Sequence, residues 1–357
     1  MTPLSEILAR RIAQTGPINL AEYMAECLLH PEHGYYTTRD PLGVDGDFTT
    51  APEVSQMFGE LIGLSLAQSW IDQGSPERIV LAEIGPGRGT LMADALRATA
   101  GVAGFHDALS LYLVEASPTL QARQAEALAS YRPTWLERAE GLPDDRPLYL
   151  VANEFFDALP IRQFTRDGSG WRETQVGLDD GKLVLGLSTP TPMAALTHRL
   201  GDTETGDIVE ICPAAGPVMA AIARRIVAHG GAGIVIDYGD WRSLGDTFQA
   251  LAKHEPVDPL AHPGQVDLTA HVDFEALATE AFTEGAAAHM ITQQMMLARL
   301  GIEQRAERLS KGKADDVVAA VGAAFDRLTS PTEMGTLFKA LGIGPDDKHL
   351  PAGFSKA

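Results

Sequence analysis

Three glycines at alternate positions, Gly85, Gly87 and Gly89, lie between an apolar run and a helical one in the segment IVLAEIGPGRGTLMADAL. Glycine tolerates positive φ and lets the backbone approach a ligand closely, while the amides opening the next helix attract negative charge. A dinucleotide fingerprint, G-x-G-x-x-G, needs glycine at position 90, where Thr90 stands. Glu115, at the end of the next apolar run, is placed to accept both hydroxyls of a ribose, a device shared by several nucleotide classes. A nucleoside cofactor, a dinucleotide and a tight structural turn all remain open on these residues.

A second polar cluster comes after the run LYLVANE. Asn153 can present amide and carbonyl groups to a cofactor's amino acid or a substrate nitrogen, and Glu154 and Asp157 add negative charge nearby. The competing reading makes Asp157 a turn cap and Glu154 a solvated side chain. The segment GDFTTAPEVSQ offers Asp47, Phe48, Glu53 and Ser55, either as a lid over a ligand or as a turn with the cap of the following helix. His30 and His33, and His254, His262 and His271 beside Asp258 and Asp267, lack the spacing of a metal site and read as surface histidines. Asp237-Tyr238 either faces the site or closes the sheet. No Gly-x-Ser-x-Gly elbow is present and neither cysteine is placed as a nucleophile.

The elements that must position these groups are read from pattern. Residues 78–84, 109–115, 148–152 and 233–237 are short apolar runs suited to strands buried on both faces. Helical periodicity over Thr90–Ala98, and Ser117-Pro118 as a helix start, alternate with them and predict a parallel, doubly wound sheet. Asn19 and Glu22 form a capping box for a helix that ends before Pro31, and a further helix is predicted over about Glu53–Asp72. Residues 161–188 alternate and carry turn signals at Asp167-Gly168 and Asp180-Gly181, so a β-hairpin or three-stranded insertion is expected. Residues 239–272 read as a long loop, and the tail from 302 as two helices and a last strand near 337–341. The organisation is an N-terminal helical extension (1–75), a core (76–301) and a C-terminal segment (302–357).

The chain has 357 residues, with 48 acidic against 28 basic side chains and a net charge of −20. That balance argues against a general nucleic-acid binder, which needs cations to displace counterions from phosphates. Two distant cysteines, Cys27 and Cys212, make a disulfide scaffold or zinc site improbable. No apolar run approaches the roughly 18 residues of a membrane span, and the N-terminus lacks a signal pattern, so a cytoplasmic protein is expected.

The segments HPEHGYYTTRDPLGVDGDFTTAPEVSQMFGE, LAEIGPGRGT, VANEFFDALP, VEICPAA, GIVIDYG, HPGQVDLTAHVDF and EMGTLFKAL together resemble the MidA-like family. That family includes the mitochondrial complex I assembly-factor arginine methyltransferase. The glycine segment alone resembles motif I of class I S-adenosylmethionine-dependent methyltransferases. The resemblance covers about residues 19–341 and implies an α/β, Rossmann-like fold with helices on both faces of the sheet. It implies S-adenosylmethionine at Gly85, Gly87, Gly89 and Glu115, in a site shared with Glu83, Pro86, Ala116, Asn153, Phe48 and Ser55. Glu154, Asp157, Asp47 and Glu53 are the candidates for orienting an acceptor. The implied acceptor is an arginine of the quinone-site subunit of complex I, dimethylated symmetrically, with no nucleic-acid partner and a homodimer allowed for. A small-molecule methyltransferase, a non-catalytic cofactor-binding assembly factor and, more distantly, an NAD enzyme stay open.

Overall fold

The computed structural model describes residues 2–38, 50–252 and 255–354. Seven strands lie side by side in the main sheet: β1 (Ile79–Ile84), β2 (Leu109–Val114), β3 (Thr134–Leu136), β4 (Leu148–Asn153), β5 (Gly231–Asp240), β6 (Ala287–Thr292) and β7 (Phe338–Gly344); the short strand Val272–Asp273 also pairs, in parallel, with the end of β5. Their spatial order is β6-β7-β5-β4-β1-β2-β3. The five strands β3, β2, β1, β4 and β5 are parallel, and β7 runs antiparallel between β5 and β6. The expected parallel sheet is present, with one reversed strand that periodicity had placed only approximately at 337–341.

Alternate residues of β1 go to opposite faces, and both faces are dry. Ile79 and Leu81 join a core with the helices Gln56–Asp72 and Thr90–Thr99, while Val80, Ala82 and Ile84 join one with the helices Ala215–His229 and Phe274–Thr283. Double-sided burial is why the strand reads as a continuous apolar run. β1 pairs with β2 on one side and β4 on the other, and the strand order reverses there, opening a crevice beyond their carboxyl ends.

The predicted insertion is present as strands Arg162–Asp167, Gly170–Asp179 and Lys182–Leu187, joined by Ile208–Ile211. The strand Ile18–Asn19 pairs with its middle member, and Leu4, Leu8, Leu20 and Met24 of the N-terminal helices bury themselves against Val176 and Leu268. The Asn19–Glu22 capping box forms reciprocally, at 2.9 and 3.2 Å.

Two expectations need correction. The helix read over Glu53–Asp72 is two helices, Ala51–Val54 and Gln56–Asp72, because Ser55 is extended at φ −162° and its hydroxyl caps the second. Residues 239–272 are not one loop. β5 runs on to Asp240, and Gln249–Ala252, Glu255–Val257 and Asp267–Thr269 form a small antiparallel sheet.

Candidate active site

The site gathers at the carboxyl ends of β1, β2, β4 and β5. After β1 the chain passes through Gly85, Gly87 and Gly89 at φ 67°, 52° and 83°. A Cβ on Gly85 would lie 3.1 Å from the Phe155 ring, so that glycine serves both the turn and the close packing of the neighbouring loop. Gly89 caps the helix Thr90–Thr99 without any side-chain hydrogen bond. Gly89 therefore leaves the Thr90 and Leu91 amides without a side-chain cap, while the Met92 amide meets the Glu83 carboxyl. A cleft opens here, lined by Glu83, Gly85, Pro86, Gly87, Arg88, Thr90, Asn153 and Glu154 together with Thr50, Pro52 and Glu53.

Two buried acceptors at this cleft have no hydrogen-bond partner, Glu83 Oε2 and Asn153 Oδ1. Burial pushes the Glu83 carboxyl up to about 8, with the charge of Glu115 adding to it and the Met92 amide opposing. Such orphaned acceptors fit a ligand that brings donors and positive charge, as the ammonium of an amino acid would.

Glu115 lies just beyond β2. Its Oε1 accepts from the Ser117 amide at 2.8 Å and its Oε2 from Gln124 Nε2 at 3.1 Å. Burial raises this carboxyl, and those donors oppose the rise. Gln124 is fully buried, and its Nε2 also donates to the Gly87 carbonyl at 2.7 Å while its Oε1 accepts from Trp135 Nε1 at 2.8 Å. One side chain thus ties the glycine loop to Glu115. Sequence reading passed over Gln124 because glutamine on an amphipathic helix reads as solvent-facing; its only signal is the i, i+4 spacing from buried Leu120.

Beyond β4, Glu154 takes φ 50°, a conformation that costs a non-glycine residue energy and recurs at functional sites. Its Oε1 accepts from Asn153 Nδ2 at 3.0 Å and from the Ala51 amide at 3.3 Å. Burial, then the charge of Asp157, pushes Glu154 up to about 7. Asp157 is buried behind the cleft wall, pushed up to about 6 by burial against the opposing Tyr238 hydroxyl. Asp237, within the last third of β5 and fully buried, accepts from the amides of Phe156 (3.0 Å), Asp157 (3.2 Å) and Tyr238 (3.0 Å). Burial and the charges of Asp157 and Glu154 hold its carboxyl well above the usual carboxylate range. No lysine or arginine among the described residues pairs with Glu154, Asp157 or Asp237. Asp237→Ala should leave three buried amides unsatisfied and lower unfolding stability by about 3 kcal/mol. Urea titration followed by circular dichroism measures this, and an unchanged midpoint would remove Asp237 as the organiser of the turn.

Of the remaining expected residues, Glu53 accepts from the Thr90 hydroxyl at 2.6 Å, bridging the helix Ala51–Val54 to the glycine loop. Ser55 caps its helix through the Met57 amide at 3.2 Å and does not line the cleft. Ala116 is exposed beside Glu115. Asp47, Phe48 and His254 lie outside the described residues. His30 and His33 stack at 5.1 Å, and no cluster of three or more metal-capable side chains occurs among the described residues. No helix among them is long and apolar enough to cross a membrane.

The family model Methyltransf_28, describing S-adenosyl-L-methionine-dependent methyltransferases, matches residues 61–292. The protein arginine methyltransferase NDUFAF7, mitochondrial, of Danio rerio is 37% identical, with 94% of this chain and 85% of that protein covered. Its Homo sapiens counterpart is 35% identical over 98% of this chain and 85% of its own length. A COG1565 superfamily member from Burkholderia thailandensis, crystallised with S-adenosylhomocysteine, superposes with a TM-score of 0.83 at 29% identity. That match covers 99% of this chain and 93% of the other. The sheet order, the glycine loop and these likenesses agree on the fold and on the cofactor. The chain belongs to the Methyltransf_28 family of S-adenosylmethionine-dependent methyltransferases.

Proposed function

We propose that this enzyme methylates the guanidinium of an arginine in a protein. The observation that carries the reading is the group of buried carboxylates Glu154, Asp157 and Asp237, which lacks a basic partner among the described residues beside the cofactor cleft. The relatives named protein arginine methyltransferases support it. A guanidinium is permanently cationic, planar and rich in donors, so it supplies what this cluster lacks.

S-adenosylmethionine, when bound, supplies an electrophilic methyl on a sulfonium. The chain's own part is then to hold one guanidino nitrogen in line with that methyl, and such positioning contributes much of the acceleration. Glu154, on the cleft wall, binds the guanidinium and takes the proton that the nitrogen gives up as its new bond to carbon forms. Asp237, through three backbone amides, fixes the turn that carries Glu154 and Asp157; it is a positioning residue.

The raised carboxyls set a pH dependence. Guanidinium binding needs ionised Glu154, so kcat/KM should rise about tenfold per pH unit below its value of about 7 and level off above it. Stability runs the other way. A carboxyl whose pKa is higher folded than unfolded favours the folded state at low pH, and that advantage is lost as pH climbs from about 4 to about 7. A flat rate profile between pH 6 and 8, measured at saturating cofactor, would deny Glu154 the role.

The finer reading places the acceptor arginine in the quinone-site subunit of complex I, dimethylated symmetrically during respiratory-chain assembly in the cytoplasm. Incubation of the purified subunit with enzyme and cofactor should add two methyl groups to one arginine, one on each terminal nitrogen, by fragmentation mass spectrometry. Methyl groups on lysine, or none on that subunit while another protein is modified, would overturn this assignment.

A further inference from the structure

The helix Pro118–Ala127 holds Glu115 at two points. Gln121 Nε2 donates to its backbone carbonyl at 2.8 Å, and Gln124 Nε2 to its carboxylate at 3.1 Å. Of these two glutamines only Gln124 is fully buried. Its Nε2 also reaches the Gly87 carbonyl, at 2.7 Å, and its Oε1 accepts from Nε1 of Trp135 on β3, at 2.8 Å. The contact with the glycine loop continues at Gly89, where a Cβ would lie 3.6 Å from Gln124 Cα and Cγ. Three separate segments therefore meet on one side chain: the loop after β1, the residue after β2, and β3.

These partners leave the Gln124 amide one satisfied orientation. An indole N–H only donates, whereas a carbonyl and a carboxylate only accept, so turning the amide over would break all three bonds. The bonds also fix what they touch. The Glu115 carboxylate, with the Ser117 amide on its other oxygen, is held at both oxygens. The Gly87 carbonyl is drawn toward Gln124, which turns the Arg88 amide of the same trans peptide the opposite way. A leucine would pack there beside Leu120 and Leu128 without needing three partners, so packing alone does not account for the amide. We propose that Gln124 is a positioning residue for S-adenosylmethionine: it presets the Glu115 carboxylate for the ribose hydroxyls and fixes the Gly87 peptide on the cleft wall, and Trp135 fixes Gln124 in turn. This inference rests on Glu115 holding the ribose and is independent of the arginine reading.

The test titrates the full-length protein calorimetrically with S-adenosylhomocysteine and with its 2′-deoxy analogue, which lacks one ribose hydroxyl. Gln124→Met keeps the volume and loses the amide. It should weaken S-adenosylhomocysteine about tenfold and shrink the preference over the 2′-deoxy analogue about fivefold. Trp135→Phe leaves Gln124 Nε2 its partners but frees Oε1, and should move both quantities the same way by about threefold. In turnover, KM for S-adenosylmethionine should rise more than kcat falls in both variants. A loss of affinity shared equally by the two ligands would reveal a structural role only and overturn the proposal, as would wild-type affinity in both variants. If Gln124→Met fails to fold, judged by circular dichroism, Trp135→Phe decides alone. Glu115→Ala separates the two levels. If it binds both ligands as the wild type does, the ribose reading falls and the role of Gln124 with it. If it loses the preference while the Gln124 and Trp135 variants keep it, only the role of Gln124 falls.

Discussion

Glu154→Gln should lower kcat by about 100-fold or more, about 2.7 kcal/mol, while the dissociation constant for S-adenosylhomocysteine stays within about threefold. Glutamine keeps an oxygen to accept from the Ala51 amide and from Asn153, so the bonds that hold the turn survive. The charge and the capacity to take a proton are lost, and both are needed only as the methyl is transferred. A split between turnover and cofactor affinity separates this role from a structural one, because a collapsed turn would disturb both. Unchanged kcat would remove Glu154 from the chemistry. The strained backbone at φ 50° adds a second readout: Glu154→Gly should relieve the strain and stabilise the fold while abolishing turnover.

Glu115→Ala should weaken S-adenosylhomocysteine binding by about 100-fold, as expected for losing charge-assisted hydrogen bonds to a ribose. The carboxylate is already oriented by the Ser117 amide and Gln124, so a ribose placed there would meet it preorganised. Stability should fall by only about 1 kcal/mol for the unsatisfied Ser117 amide, and Glu115→Gln should cost about tenfold in affinity. Calorimetric titration of the three proteins checks the order. Wild-type affinity in Glu115→Ala would place the ribose elsewhere.

The parts of this site that were legible in the sequence are those where one local pattern suffices. β1 and β4 are buried on both faces, so they read as apolar runs, and the residues just after each run must lie at the sheet's carboxyl edge. That is why the glycine loop and the Asn153–Asp157 turn could be found. Asp237 was harder. A carboxylate after an apolar run usually marks the strand's exit into solvent, and only the fold shows that β5 continues past Asp237, which is fully buried and accepts three amides, two of them from a turn some eighty positions earlier. The segment 239–272 was misread for a similar reason. Its strands are three or four residues long and contain Pro256 and Asp267, so they form through pairing across the chain rather than through local preference. Gln124 was hidden inside an ordinary helix face.

The identity of the group that receives the methyl decides whether this is an arginine methyltransferase. Purified protein should be incubated with methyl-labelled S-adenosylmethionine and an extract of cells lacking this gene, with Gly87→Val as the control that blocks the cofactor's approach. We expect one labelled protein, absent with the variant, whose label maps by mass spectrometry to the terminal nitrogens of an arginine. Label on a lysine, a carboxylate or a small molecule, by enzyme that demonstrably binds the cofactor, would contradict arginine methylation.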